Sequence, residues 1–201
     1  MRVTTQIIGN EITECKFRSV PLLMRVSKFD EESAKKFSEF MSKAHESGQP
    51  VIPIVIDSYG GYVDSLISMI SDIQNAEKPV ATIAVGKAMS CGSFLLSMGT
   101  DGYRFIDKNA RVMIHEISGG SRGKHTDIVA STEEMKRLNE RLFKIMARNC
   151  GKPEDFFIKE MFKRGNADWY LSPTETKNLG IANFIRVPKM TRTVTVETRF
   201  E

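Results

Sequence analysis

Apolar residues along the chain occur either in short continuous runs or at helical spacing, and the two patterns alternate. Continuous apolar runs predict buried strands at residues 51–57, 79–85 and 110–115. Helical spacing predicts helices at residues 29–48, 63–76, 90–99, 153–165 and 172–180, the first of them capped by Asp30. Repeated alternation of strand and helix is typical of an α/β fold with a largely parallel sheet, and we expect a single domain over residues 1–201.

The pattern leaves alternatives open in the second half of the chain. A long helix ends near Asn149, and either Thr126 or the capping-box pattern STEE from Ser131 can begin it. Its apolar stripe consists of Ile128, Met135, Leu138, Leu142 and Ile145. The preceding segment ISGGSRGKH is rich in glycine and is either extended or looped. Residues 191–200 alternate polar residues with valine, which predicts either an edge strand or an unpaired extension.

Composition places the chain among soluble globular proteins. It has 201 residues, of which 41% are apolar and 27% charged, and a formal net charge of +4. Basic residues are interleaved with acidic ones, which argues against a nucleic-acid partner. The first residues lack the apolar core of a signal peptide, and no apolar run approaches the roughly 20 residues that span a bilayer. Cys15, Cys91 and Cys150 lie far apart without a CxxC motif, so we expect no disulfide framework, no metal site and a cytoplasmic location.

The stretch GKAMSCGSFLL (residues 86–96) contains two adjacent candidate nucleophiles, Ser90 and Cys91. Ser90 follows a predicted strand and opens a predicted helix. Unpaired backbone N–H groups and the positive end of the helix dipole can stabilise an oxyanion there. The alternative is a serine that only caps the helix.

A second candidate is the glycine pair in IDSYGGYV, Gly60 and Gly61, which lies between a predicted strand and a predicted helix. Two glycines allow unusual backbone angles and the close approach of another main chain. Their N–H groups can supply an oxyanion donor or hold a peptide substrate. The alternative is an ordinary turn between strand and helix.

A histidine and an aspartate complete the candidates. His115 closes the apolar run RVMIH, and an imidazole titrates near neutral pH, as a general base must. Asp168 in GNADWYLS precedes three large apolar or aromatic residues, so we expect its carboxyl to be half-buried and able to orient a histidine. A structural histidine and a capping aspartate are the alternatives.

Taken together, these stretches resemble the proteolytic subunit of Clp proteases. The resemblance covers about residues 51–185 and is carried by IDSYGGYVDSLISMI, GKAMSCGSFLLSMGTDGYRFIDKNARVMIHEISGG and DWYLSPTETKNLGI, in that order. It implies the fold that this family shares with crotonase-type enzymes, an α/β fold of repeated strand–helix units. It also implies a protruding handle at about residues 116–150, made of a glycine-rich strand and a long helix.

The resemblance implies a serine endopeptidase that needs no cofactor and no metal. Ser90, His115 and Asp168 occupy the positions of the family's catalytic triad. The backbone amides of Gly60 and Cys91 would be the oxyanion donors. Cys91 would then contribute its main chain, while its thiol would be a core or pocket group.

The resemblance also implies partners. In the family the handle interlocks two seven-membered rings that enclose peptide or unfolded-protein substrates, and its strand lies along the substrate, here near Gly119 and Gly120. A Clp-type ATPase unfoldase is the implied partner, although the segment before TECKFRSVPLL is short here. Residues 188–201 have no match in the family that we can assign.

The chain departs from the family pattern near the site. Tyr59 stands where proline is usual, and the family's proline soon after the histidine is absent following His115. Met89 and Cys91 flank the serine, where alanine and methionine are favoured. These changes alter the pocket walls but keep the serine, histidine and aspartate.

Three other functions remain open at this point. A crotonase-type enzyme acting on acyl-CoA thioesters would also use paired backbone N–H groups, but it needs no serine–histidine–aspartate set. A non-catalytic ring subunit would have no use for an intact triad. A protease of the same fold for viral capsid maturation or signal-peptide breakdown would share every motif above.

Overall fold

The computed structural model describes residues 2–8, 11–19 and 21–196, and only the backbone of 2–8, 11–19 and 192–196. The strands are β1 (Arg2–Ile8), β2 (Glu11–Ser19), β3 (Met24–Val26), β4 (Ile52–Ser58), β5 (Val80–Met89), β6 (Arg104–Ile106), β7 (Arg111–Ile114), β8 (Trp169–Leu171), β9 (Phe184–Ile185) and β10 (Arg192–Val196). The helices are α1 (Glu31–Glu46), α2 (Val63–Gln74), α3 (Cys91–Ser97), α4 (His125–Asn149), α5 (Phe156–Lys163) and α6 (Pro173–Asn178).

A seven-stranded sheet forms the centre of the molecule. Strands β3, β4, β5, β6 and β9 are neighbours in that order, while β7 pairs with β5 and β8 pairs with β7. Every pair in this sheet is parallel except β7 with β8. The predicted α/β fold with a largely parallel sheet is therefore confirmed.

Strand β5 changes partner halfway along its length. Its first half pairs with β6, and residues Lys87 to Met89 pair with β7. Gly86 lies between the two halves with φ +72°, and a Cβ there would lie 3.0 Å from Oδ1 of Asp57. The sequence pattern ended this strand at residue 85, but glycine here bends the strand instead of ending it. The second half of β5 therefore reaches β7 and delivers Ser90 beside that strand.

Helix α1 begins with the predicted cap. Asp30 Oδ1 accepts a hydrogen bond from the Ser33 amide at 2.8 Å, and the Asp30 amide donates to Ser33 Oγ at 2.9 Å. Lys28 and the Ser33 amide lower the pKa of Asp30 to about 2, so the cap is charged at neutral pH. The face of the helix that carries Phe37 and Met41 is buried in the main core. A good cap and an apolar face thus agree in placing this helix.

Helix α4 packs along only one half. Leu142 and Phe143 are buried, and the Phe143 ring meets the Phe94 ring edge-on at 5.4 Å. In the first half, Ile128 and Val129 are 38% and 42% exposed. The start of the helix therefore leaves these two apolar side chains largely uncovered in the single chain.

Two expectations for the segment around this helix were wrong. The helix starts at His125 after Lys124, so neither Thr126 nor Ser131 is its cap. The glycine-rich strand implied by the resemblance is also absent: residues 117–124 form a loop, which was one of the two alternatives for this segment. The Ile117 amide donates to Asn139 Oδ1 at 3.1 Å, so the loop is tied to α4 by a side chain and not by a strand ladder.

The C-terminal segment forms an edge strand, which was one of the two predicted alternatives. Strand β10 pairs antiparallel with β2, and β1 pairs with the other side of β2. Residues 197–201 lie outside the described part of the chain. None of the helices within the described residues is long and apolar enough to cross a bilayer.

Candidate active site

Ser90 lies in a strained turn between β5 and α3. Its φ and ψ are 53° and −123°, an uncommon conformation for a residue other than glycine. Its amide donates to the Met113 carbonyl of β7 at 2.9 Å, which holds the turn against the next strand. The hydroxyl makes no capping hydrogen bond to α3, so the serine is not an ordinary N-cap.

The hydroxyl instead contacts His115. The two atoms, Ser90 Oγ and His115 Nε2, are 2.7 Å apart. The contact forms because β5 and β7 are parallel neighbours, so the residues that follow them meet at one edge of the sheet. This is the distance at which an imidazole can take a proton from a hydroxyl. The predicted pairing of a serine with a histidine at strand ends is thus present.

Asp168 lies at the same sheet edge. The antiparallel pair of β7 and β8 ends with Ile114 opposite Trp169, so His115 follows β7 and Asp168 precedes β8 at the same end of the pair. However, Asp168 is exposed, and within residues 21–191 no hydrogen bond reaches its carboxylate. The expected half-burial was wrong for the acid. The neighbouring Trp169 is half-buried instead, with the guanidinium of Arg164 3.9 Å from its ring centroid.

The glycine pair approaches the serine closely. A Cβ on Gly60 would lie 2.7 Å from Cβ and 3.0 Å from Oγ of Ser90. The Gly60 amide is already engaged, since it donates to Ser58 Oγ at 3.0 Å. Within the described residues, no acceptor takes the Gly61 amide. The geometry therefore favours Gly61 over Gly60 as the free donor of the pair.

Cys91 is buried directly after the serine. Burial raises the pKa of its thiol, so the sulfur is protonated at neutral pH. A thiolate is the nucleophilic form of cysteine, and a buried neutral thiol is a weak nucleophile. The thiol donates to the Gly61 carbonyl oxygen at 3.2 Å. Of the two adjacent candidates, the geometry therefore favours Ser90.

A small cleft opens beside Ser90 and His115. Its apolar walls are Val63, Leu66, Phe94, Ile117 and Leu142. These residues come from α2, α3, α4 and the segment after β7. Helical spacing predicted a core position for Val63, Leu66 and Leu142. Leu66, Phe94 and Leu142 are core residues that also show one side to the cleft. Sequence reasoning did not identify them as pocket residues because core and pocket walls share the same apolar pattern.

The structure does not bring Gly119 and Gly120 into this cleft. Within the loop after β7, Ser118 is the last residue that lines the cleft. A Cβ on Gly119 would lie 3.2 Å from Cε of Met135, so the loop lies against α4, and Gly120 has open space around it. Their predicted contact with substrate stays a prediction.

An ion cluster that sequence reasoning missed lies at the carboxyl end of β4. The Asp57 carboxylate accepts from Arg25 at 2.7 Å and from Lys87 at 2.8 Å. Hydrogen bonds from Lys87 and Arg25 lower the pKa of Asp57. Lys87 Nζ also lies 4.5 Å from the centroid of the exposed Tyr59 ring. The cluster joins β3, β4 and β5 just before the glycine loop.

A parallel sheet that presents a serine and a histidine in hydrogen-bond contact beside a helix start has the arrangement of a serine hydrolase. A family model described as Clp protease matches residues 16–189 of the chain. The match covers most of the 201 residues, so the chain belongs to the Clp protease family. The resemblance found in the sequence is thus confirmed, and the chain is a peptidase of the Clp type.

Proposed function

We propose that this chain is a serine endopeptidase in which Ser90 is the nucleophile and His115 the general base. The single observation that carries the proposal is the 2.7 Å contact between Ser90 Oγ and His115 Nε2. As the hydroxyl attacks a peptide carbonyl, its proton passes to Nε2. The imidazolium then protonates the leaving amine, and water hydrolyses the acyl-enzyme.

Asp168 is the proposed acid of the triad. A carboxylate facing Nδ1 would select the tautomer in which Nε2 can accept the serine proton, and would stabilise the imidazolium. Its position just before β8, at the end of the β7–β8 pair that His115 follows, supports this role. The role requires the exposed side chain to turn towards the imidazole.

The proposed oxyanion donors are the main-chain amides of Gly61 and Cys91. The Gly61 amide replaces that of Gly60 in this role because Ser58 Oγ already accepts from Gly60. Gly60 has a separate function, which is to leave space for the nucleophile. One such donor is worth about 3–4 kcal/mol of transition-state stabilisation.

The substrates we propose are peptides and unfolded polypeptides. The apolar walls of the cleft suit an apolar side chain next to the scissile bond, and burial of such a side chain contributes roughly 1.5–3 kcal/mol. The first half of α4, with Ile128 and Val129 exposed, is the proposed contact between stacked rings of this chain. In such an enclosed assembly, located in the cytoplasm, a separate ATPase would unfold the substrates.

A fluorophosphonate probe tests the nucleophile directly. The probe should label the wild-type chain, and Ser90→Ala should abolish both labelling and cleavage of casein, since among the described residues no other hydroxyl contacts an imidazole. Asp168→Asn should be labelled far more slowly, because the imidazole would no longer be held in the productive tautomer. Labelling that persists in Ser90→Ala would identify another nucleophile, and no labelling of the wild type would support a non-catalytic ring subunit.

A further inference from the structure

The Cys91 side chain connects the helix that follows the nucleophile to the glycine loop. It is 3% exposed, and its Sγ lies 3.2 Å from the carbonyl oxygen of Gly61. Because the thiol is protonated, it is the donor in this hydrogen bond. The proposed mechanism uses only the main-chain amide of Cys91 and gives no role to its side chain.

The peptide group that accepts this hydrogen bond is also held at its other end. The Gly61 carbonyl and the Tyr62 amide belong to one planar unit. The Tyr62 amide donates to the Phe29 carbonyl at 2.8 Å, and a parallel β-bridge joins Phe29 to Gly61. The unit is therefore fixed by the Phe29 segment on one side and by the thiol on the other.

Gly61 cannot be restrained by a side chain of its own. Its φ is +152°, and a Cβ there would lie 2.3 Å from the Phe29 carbonyl oxygen. The position thus requires glycine, whose backbone angles are weakly restrained by local sterics. Contacts from neighbouring segments must supply the restraint, and the thiol supplies it from the side of the nucleophile.

We propose that Cys91 is a positioning residue, whose thiol holds the Gly61 carbonyl so that the Gly61 amide points to the oxyanion. The inference rests on the proposed serine-peptidase function. Methionine, which the family favours at this place, has no S–H donor and could not make this contact. This hydrogen bond to the Gly61 carbonyl therefore requires a side chain with a donor at position 91.

Three variants test the role of the donor. Cys91→Ala removes the thiol, Cys91→Val fills the space without a donor, and Cys91→Ser restores a donor. The first two should lower the rate constant of fluorophosphonate acylation and kcat for a peptide substrate by roughly 2- to 10-fold, with KM little changed. Cys91→Ser should recover most of the loss. The loss falls on kcat because the contact acts on a donor that is used in the transition state.

Two controls keep the measurement specific. Cys150→Ala removes another thiol whose pKa burial raises, to about 12, and it should leave the acylation rate unchanged. The double variant Ser90→Ala, Cys91→Ser should not be labelled, which shows that the new hydroxyl is not the labelled group. Thermal unfolding of each variant separates a loss of folding from a loss of rate.

The outcomes separate this inference from the function on which it rests. A wild-type chain that is not labelled overturns the proposed function and the inference with it. A labelled wild type with Cys91→Ala and Cys91→Val acylated at the same rate overturns the inference alone. So does a Cys91→Ser variant that folds normally but is as slow as Cys91→Val, because the thiol would then matter only for packing.

Discussion

Replacing Gly60 with alanine tests whether the nucleophile depends on close approach by the glycine loop. The new Cβ would lie 2.7 Å from Cβ of Ser90, while carbon atoms in contact prefer about 3.5–4.0 Å. It would also lie 3.2 Å from the Met89 carbonyl, so it has little room to shift sideways. Relief of the clash therefore separates the loop from Ser90 by roughly 1 Å.

A displacement of that size breaks the contact on which the chemistry depends. Ser90 Oγ and His115 Nε2 are 2.7 Å apart, and the hydrogen bond does not survive a shift of about 1 Å. A misplacement of this kind costs about 100-fold in rate. The φ of +114° at Gly60 adds about 1–3 kcal/mol of backbone strain, so Gly60→Ala should also unfold at a lower temperature.

The assay is the second-order rate constant of fluorophosphonate labelling, measured beside thermal unfolding. Gly48→Ala is the matched control, because Gly48 has φ +71° and no atom within 4 Å of a Cβ. It carries backbone strain without a clash, so it should lower stability and leave the labelling rate unchanged. The reasoning is refuted if Gly60→Ala is labelled at the wild-type rate, or if Gly48→Ala loses labelling to the same extent.

Two further predictions concern stability and assembly. Because Lys87 and Arg25 lower the pKa of Asp57, its stabilising contribution is present above the ordinary value of 3.8 and is lost as the pH falls through the lower folded-state value. The difference in Tm between the wild type and Asp57→Asn should therefore narrow below pH 3.8, and a constant difference would contradict the ion cluster. Ile128→Asp should place a charge in the proposed contact between rings, next to Val129, and reduce the native mass measured by light scattering. A mass unchanged from that of the wild type would move the contact elsewhere.

The longer buried elements could be predicted from the sequence because their apolar patterns are strong. Strand β4 and helices α1 and α2 fall within a few residues of the predicted ranges. The short strands β3, β6, β8 and β9, of two or three residues each, have no pattern long enough to distinguish them from loops. Their pairing depends on the neighbouring strands, which the local sequence does not encode.

The pairing of Ser90 with His115 could be predicted because both follow buried strands, and parallel strands end at one edge of a sheet. The exposure of Asp168 could not. Its large neighbours suggested burial, but along a strand adjacent residues face opposite sides, so a half-buried Trp169 says little about the residue before it.

The choice between the two glycines depends on contacts that the sequence does not show. Gly60 and Gly61 are identical in the sequence, and either could donate to an oxyanion. The two glycines differ in the hydrogen-bond partners of their main-chain groups. The hydroxyl of Ser58 occupies the amide of Gly60, while the Cys91 thiol engages the carbonyl of Gly61 and leaves its amide open. In the sequence, Ser58 only follows a predicted strand, and Cys91 is a possible nucleophile. Their positions beside the loop, which only the fold shows, decide which glycine can act.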